Sequence, residues 1–349
     1  MRSRHRSIDA ELKHWDDIKE RHGWEGLLVG NGASLTVWEG FQYESLYKKA
    51  LQGIDDPLSS ADKKIFRSMN THDFERVLAA LWTAEVICQA LKQDIQRIHE
   101  RYVNIQLALI EAVHSVHVPW SYKLEELLRK IRAALLPYGS VYSTNYDLLL
   151  YWAIMAEGTP SHKDYFWSGQ DSRSFDITNT EIIGYDESRK ILYLHGALHL
   201  VKLPYGSETR KLTSDKGDLL SQFGANLDAG VTPLFITEGT AQDKLASIHS
   251  SDYLSFAYEK FANHNGNLVI FGHSLSESDQ HLIDAMKRWR NRIIAFSMRR
   301  QTADANNIIE RKARIQRQLP EAQIFFFDAE THPLGDPELK VQQNGDNSI

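Results

Sequence analysis

The chain has 349 residues, of which 42% are apolar and 25% are charged, a composition typical of a globular protein with a substantial core. Its net charge of −6 argues against direct nucleic-acid binding, because proteins of that class usually carry a basic surplus. The single cysteine, Cys88, excludes a disulfide within the chain and a four-cysteine zinc site. The start of the sequence has no apolar leader, and no apolar run reaches about 18 residues, so we expect a cytoplasmic protein without membrane association.

The predicted elements alternate between helices and strands along the chain. Residues 1–25 have helical spacing and precede a strand that ends at Val29. The region from about 60 to 136 is predicted to be almost entirely helical, because apolar residues recur at helical spacing from Phe74 onward. Further apolar runs of strand length are 141–143, 191–194, 234–237, 268–271, 293–296 and 324–327.

Strands that alternate with helices indicate an α/β fold, with a Rossmann-like parallel sheet flanked by helices. We expect one domain over residues 1–330, with its core at 26–50 and 139–330 and a large helical insertion or subdomain at about 60–136. The last segment, 331–349, is rich in Pro, Gly, Asp, Gln and Asn, and this composition predicts a flexible tail.

A glycine-containing turn, Gly30-Asn31-Gly32-Ala33-Ser34, follows the first predicted strand and precedes a helix. Glycines allow the backbone to approach a phosphate, and a helix N-terminus supplies N–H donors for it. The full dinucleotide pattern Gly-x-Gly-x-x-Gly is not met, because Leu35 stands at the last position. A tight strand-to-helix turn without a ligand is the alternative interpretation.

Polar residues also follow the second predicted strand, in the stretch Thr144-Asn145-Tyr146-Asp147. The Asn145 amide can donate and accept hydrogen bonds at once, so it can hold a ribose hydroxyl or a water molecule. Asp147 can cap the following helix, and for this residue the structural interpretation is favoured.

Two further segments end strands with residues capable of chemistry. His195-Gly196 offers a group that can take up a proton near neutral pH, although any one of the 15 histidines can instead be structural. Gly272-His273-Ser274 can bind a second nucleotide half through N–H and hydroxyl groups. Alternatively, Ser278 or Asp279 in this region only caps the next helix.

Two common site motifs are absent. No serine lies in a Gly-x-Ser-x-Gly elbow, which argues against a serine hydrolase. No Gly-x-x-x-x-Gly-Lys-Ser/Thr loop occurs, which argues against a P-loop nucleotidase.

In this order, the four segments resemble the sirtuin superfamily, and more closely its prokaryotic sirtuin-like NAD-hydrolase branch from anti-phage defence systems. Residues 30–34 are similar to the sirtuin Gly-Ala-Gly-x-Ser turn, and residues 143–147 to its Thr-Gln-Asn-Ile-Asp segment. Leu194-His195-Gly196 is similar to the Leu-His-Gly that carries the catalytic histidine. Gly272-His273-Ser274-Leu275 is similar to the Gly-Thr-Ser-Leu segment that contacts the adenosine half of NAD.

The resemblance implies Asn145 and His195 as the catalytic residues of an enzyme that uses NAD+ as its substrate. The residues that it implies around NAD+ are Gly30, Asn31, Gly32, Ala33, Ser34, Thr144, Asp147, Gly272 and Ser274. No metal is implied, because the zinc module of deacylating sirtuins needs four cysteines. Those enzymes also continue the first loop into Pro-Asp-Phe-Arg, whereas Trp38, Phe41 and Gln42 occupy that stretch here. The departures favour the zinc-free defence branch.

The function implied by this resemblance is hydrolysis of NAD+ to nicotinamide and ADP-ribose, in an abortive-infection response. Alternatives are ADP-ribosyl transfer or deacylation, in which an acceptor replaces water, and a sensor or assembly subunit that binds NAD or ADP-ribose without turnover. The resemblance also implies a homo-oligomer and a HerA-type hexameric ATPase as a partner.

Overall fold

The structure is a computed structural model, and it describes most of the chain. The described residues are 8–41, 46–52, 58–118, 124–158, 160–166, 173–178, 189–203, 206–212, 219, 231–236, 240–300 and 305–341.

A six-stranded parallel sheet forms the centre of the molecule. Its strands are β1 (Trp24–Val29), β2 (Ser140–Ser143), β3 (Lys190–Tyr193), β7 (Asn267–Phe271), β8 (Ile293–Met298) and β9 (Gln323–Asp328). They pair in the order β3-β2-β1-β7-β8-β9, which in chain order within this sheet is 3-2-1-4-5-6. This is the strand order of Rossmann dinucleotide-binding folds. The predicted Rossmann-like α/β fold is therefore confirmed.

The central strands are continuous apolar runs because both faces of the sheet are covered. In β1, residues Leu27–Val29 are fully buried, and in β7 residues Leu268–Phe271 are at most 1% exposed. Alternation of apolar and polar residues would instead indicate a sheet with one face in water.

Helices follow or separate the strands. Those in the described residues are α1 (Asp16–Lys19), α2 (Asn31–Val37), α3 (Leu46–Leu51), α4 (Ser60–Ser68), α5 (Phe74–Ala90), α6 (Gln96–Val116), α7 (Glu125–Leu135), α8 (Leu149–Met155), α9 (Ala241–His249), α10 (Asp252–Ala262), α11 (Gln280–Met286) and α12 (Ala305–Gln318). Helices α4 to α7 occupy the predicted helical region between the first two strands. Among the described residues, no helix combines the length and apolar character needed to cross a membrane.

A second, smaller sheet was not predicted from the sequence. It consists of the antiparallel strands β4 (Gly196–Lys202), β5 (Thr209–Lys211) and β6 (Thr232–Phe235), in the order β5-β4-β6. The run predicted as a strand at 234–237 belongs here, and its residues beyond 236 lie outside the described part of the chain. Gly196 turns the chain from the main sheet into this one with a positive φ of 73°.

The two ends of the described chain differ from their predictions. In the first segment, Lys13 forms a parallel β-bridge with Phe327 of β9. Among residues 8–25, only the four residues of α1 form an α-helix. The prediction of a flexible tail is wrong for residues 331–341, because Leu334 and Leu339 are 3% and 1% exposed and pack on the core. The Val341 N–H donates to the Val37 carbonyl at 2.8 Å. Residues 342–349 lie outside the described residues.

Candidate functional site at the carboxyl edge of the sheet

The four predicted site segments all lie at the carboxyl edge of the main sheet. Residues 30–34 follow β1, residues 144–147 follow β2, His195 follows β3, and residues 272–274 follow β7. The strand order reverses between β1 and β7, so the segments at 30–34 and 272–274 flank the topological switch point. Open parallel sheets bind their ligands in the crevice at this point.

The two glycine turns at the switch point contact each other directly through their backbones. The Gly30 N–H donates to Phe271 O at 2.9 Å, and the Gly32 N–H donates to Gly272 O at 2.8 Å. A Cβ on Gly32 would lie 2.7 Å from the Gly272 Cα atom. Gly272 itself has a φ of 67°, which is the left-handed region that favours glycine. This contact explains the glycines without a ligand, so they do not by themselves define a phosphate site.

The remaining residues of these turns have separate roles. The Asn31 side chain donates to Phe41 O at 3.2 Å, and Ala33 is buried. The Thr144 hydroxyl donates to Val29 O at 3.3 Å and so ties the ends of β1 and β2 together. The Ser274 side chain is exposed, and its carbonyl accepts a bond from Arg314 at 2.8 Å.

Three predicted residues form a buried hydrogen-bonded chain. The Asn145 Nδ2 group donates to Ser34 Oγ at 2.8 Å, and Ser34 Oγ donates to Asp147 Oδ2 at 2.6 Å. The three side chains are between 3% and 5% exposed. Asn145 Oδ1 is buried and has no hydrogen-bond partner among the described residues. The chain therefore orients the Asn145 amide and leaves an acceptor oxygen unused.

Asp147 also has the helix-capping role that the sequence favoured. Its Oδ1 atom accepts the Leu149 N–H at 2.9 Å, at the start of α8. Burial raises the pKa of Asp147, while His117 and the Ser34 hydrogen bond act in the opposite direction. Asp147 thus anchors Ser34 from inside the core.

His195 lies at the junction of the two sheets, and its backbone is fixed on both sides. The Leu194 N–H donates to Ser143 O at 2.8 Å, and the His195 carbonyl accepts the Ile236 N–H at 2.7 Å. The ring is 3% exposed, and its Nε2 atom lies 2.9 Å from Nε2 of His281 on α11. Burial, the charge of Lys244 and the neighbouring His281 hold the pKa of His195 well below its usual value, so the ring is neutral at neutral pH.

An ion pair lies beside the two histidines. Lys244 of α9 donates to Asp279 Oδ1 at 3.0 Å, and both side chains are almost fully buried. Burial alone would raise the pKa of Asp279, but His273 and Lys244 reverse the effect, and the pKa lies well below its usual value. Asp279 also forms a capping box with Ser276, in which Ser276 is the N-cap instead of the expected Ser278 or Asp279.

His281 and Lys244 were not predicted as site residues. His281 is the second residue of α11 and is buried together with Leu282 and Ile283. No motif in the sequence distinguishes it from the other histidines. The Tyr258 hydroxyl donates to the His281 carbonyl at 3.0 Å and fixes the helix at this point.

Two cavities of different size lie near the residues at the carboxyl edge of the main sheet. A cleft of about 750 Å³ lies between the helical region and the loop after β7, and its lining includes Tyr47, His72, Arg76 and Ser278. This volume is within the range of small-molecule sites. The cavity lined by Ser34 and Asn145 measures only about 10 Å³.

No group of three or more His, Cys, Asp or Glu side chains with metal-binding geometry occurs within the described ranges.

The sheet order and the polar side chains at its carboxyl edge define a Rossmann-like α/β protein. The chain belongs to the family described as domain of unknown function DUF4917, whose family model matches residues 27–334. A comparison with curated proteins gave no match.

Solved structures of Sir2 homologues match this chain at low similarity. A serine-to-alanine variant of a Sir2 homologue in complex with ADP-ribose is 11% identical, with a TM-score of 0.36 over 97% of this chain and 95% of that chain. A complex of a Sir2 homologue with NAD is 12% identical, with a TM-score of 0.35 over 95% of this chain and 90% of that chain.

Proposed function

We propose that this protein is an NAD+ glycohydrolase that cleaves NAD+ to nicotinamide and ADP-ribose. The observation that carries the proposal is the placement of Asn145 and His195 after the adjacent parallel strands β2 and β3, at the carboxyl edge of a sheet with the Rossmann order. A buried asparagine oxygen without a partner and a neutral histidine are the groups that ribose chemistry needs.

In the proposed reaction, the residues of the site orient the ribose and a water molecule. Ser34 accepts a hydrogen bond from the Asn145 amide nitrogen, so Oδ1 faces the substrate as an acceptor for a ribose hydroxyl or the water. His195 is the general base, directly or through a ribose hydroxyl. Nicotinamide leaves as a neutral molecule, and the transition state resembles an oxocarbenium ion, so correct orientation supplies much of the rate.

The test is NAD+ turnover by the purified chain, with the products separated by chromatography. We expect nicotinamide and ADP-ribose from the wild type, and a loss of ~100- to 10,000-fold in Asn145→Ala and His195→Ala. Asn263→Ala and His14→Ala are matched controls, because both side chains are exposed. Near-normal cleavage by a folded His195→Ala variant would contradict the assignment.

A second candidate is a subunit that binds NAD or ADP-ribose and becomes active only with a partner. One observation favours it: the cavity lined by Ser34 and Asn145 measures only about 10 Å³. Tight binding of NAD+ in calorimetry without turnover would favour this candidate.

We further propose that the activity depletes NAD+ in anti-phage defence, as a homo-oligomer and with a HerA-type ATPase. The test is to co-express the chain with such an ATPase, determine the mass of the purified assembly, and follow cellular NAD+ during infection. We expect NAD+ to fall with the wild type and to stay constant with Asn145→Ala. A monomeric protein that does not bind the ATPase and does not change the cellular NAD+ level would contradict this proposal.

A further inference from the structure

The contact between His195 and His281 places a second imidazole directly against the proposed base. The two Nε2 atoms are 2.9 Å apart, and the ring planes are inclined at 33°. Both rings are 3% exposed, so water does not separate them from each other. Their backbones are fixed independently, by the strand junction for His195 and by the Tyr258 hydroxyl for His281.

Proton counting restricts what this contact can do. A neutral imidazole carries one N–H, so one of the two Nε2 atoms donates and the other accepts. When His195 takes up a proton it becomes an imidazolium with N–H on both nitrogens, and it can then only donate. In that state His281 Nε2 must be the acceptor, and His281 keeps its own proton on Nδ1.

We propose that His281 is a positioning residue that holds the His195 proton on Nε2 and thereby makes Nδ1 of His195 the atom that accepts the substrate proton. This inference rests on the proposed hydrolase function. The proton of the ribose hydroxyl or water goes to His195 Nδ1, and the His195 Nε2–H stays bonded to His281. The proton returns to product or solvent when the cycle ends. The arrangement parallels the way in which a carboxylate orients the histidine of a catalytic triad.

The charges around the pair fit a base that must stay neutral until substrate arrives. Lys244 from α9 lowers the pKa of both rings, and His273 acts in the same direction from the loop after β7. Asp279 raises the pKa of both rings, and Asp284 on α11 raises that of His281. Burial is the largest cause for each ring and lowers the pKa of His281 to about 4. A charged His281 lowers the pKa of His195 as well. When His281 is neutral, its acceptor nitrogen instead stabilises the His195 imidazolium that the surroundings disfavour.

The kinetic test compares His281→Gln with His281→Leu across about pH 5 to 9. Glutamine keeps an acceptor oxygen near the His281 Nε2 position and does not titrate in this range, whereas leucine removes the acceptor. We expect His281→Leu to lower kcat by ~100-fold with little change in KM and to shift the acid limb of the pH profile. His281→Gln should keep most of the rate. Equal losses in both variants with an unchanged pH profile would indicate a structural role and overturn the proposal.

The second test does not depend on NAD+ turnover. In ¹⁵N-histidine spectra of the wild type at neutral pH, we expect the His195 proton on Nε2, and in His281→Leu we expect it to redistribute between the two nitrogens. A wild-type proton on Nδ1, or the same distribution in both proteins, overturns the proposal even if NAD+ is hydrolysed. His264→Gln is the control, because His264 is a partly buried histidine that lies beside Tyr142 and Gly26, and it should leave both readouts unchanged.

Discussion

At the scale of single residues, the side chain of Ser34 connects the catalytic asparagine of the proposed site to the core. Its hydroxyl accepts from Asn145 and donates to Asp147, and both partners are buried. Because Asp147 also accepts a hydrogen bond from the first turn of α8, the direction of the Asn145 amide depends on a residue fixed by that helix. The orientation of the Asn145 amide is thus determined by its hydrogen bonds to buried residues.

Replacing Ser34 by alanine should cost stability as well as activity. The substitution leaves the Asp147 oxygen and the Asn145 nitrogen without their bridging hydroxyl, and an unsatisfied buried polar group costs about 1–3 kcal/mol. We expect that loss in the free energy of unfolding measured with urea. Ser115→Ala, at an exposed helical serine, should change it by less than about 0.5 kcal/mol. Similar values for the two variants would contradict the bridging role.

At the scale of elements, the turn after β1 and the turn after β7 behave as one unit. Their backbones are bonded at Gly32 and Gly272 without any intervening side chain. A movement of the loop after β7, which also carries Asp279, is therefore coupled to the start of α2, which carries Ser34. The two halves of the proposed site are mechanically connected at the switch point.

Gly272→Ala tests this contact. The new Cβ would lie 2.5 Å from Ala33 N, and the residue would keep a positive φ, which alone costs on the order of 1–3 kcal/mol. We expect a larger loss in the free energy of unfolding than that range, together with weaker NAD+ binding.

Gly158→Ala is the matched control for this prediction. Gly158 has a φ of 76° but nothing within 4 Å of the added Cβ, so it carries the backbone strain without the collision. Equal destabilisation in the two variants would mean that the close contact between the Gly32 and Gly272 turns does not contribute to stability.

At the scale of the whole molecule, the main sheet and its carboxyl-edge segments could be predicted from the sequence. Fully buried parallel strands are continuous apolar runs, and runs such as 268–271 are recognisable without knowledge of their neighbours. The second sheet could not be predicted, because strands such as Thr209–Lys211 are too short to have a pattern of their own. They form only through pairing with distant segments.

The missed parts of the site depend on long-range contacts in the same way. His281 has a role only because its helix brings it against His195, 86 positions earlier in the chain. The Asn145–Ser34 bond joins residues 111 positions apart, so the order of the motifs indicated a common site but not which atoms meet. The region after β9 was mistaken for a tail because its prolines and glycine are typical of loops, whereas Leu334 and Leu339 determine its packing.

Buried and partly buried histidines make the stability of the protein dependent on pH. Burial lowers the pKa of His264 and His281 to about 4, and that of His332 to about 3, so the unfolded chain binds more protons below about pH 6.5. The free energy of unfolding should therefore fall as pH decreases from about 6.5 to 4. Each group contributes up to about 1.4 kcal/mol per pH unit.

Urea unfolding between about pH 7 and 4.5 measures this dependence. His264→Gln removes one of the rings and should reduce the slope, while the raised pKa of Asp147 acts in the opposite direction in both proteins. A slope that is unchanged in His264→Gln, or stability that rises on acidification, would contradict the prediction.

The packing of residues 331–341 has a consequence for biosynthesis. Lys340 forms an ion pair with Glu39 from 301 positions away, and Val341 bonds to the end of α2, the helix that carries Ser34. A ribosome synthesises these residues long after α2. During translation, α2 therefore lacks its contacts with residues 340 and 341. In a chain that stops before this segment, the end of α2 lacks its hydrogen bond to Val341, and the position of Ser34 on that helix loses part of its support.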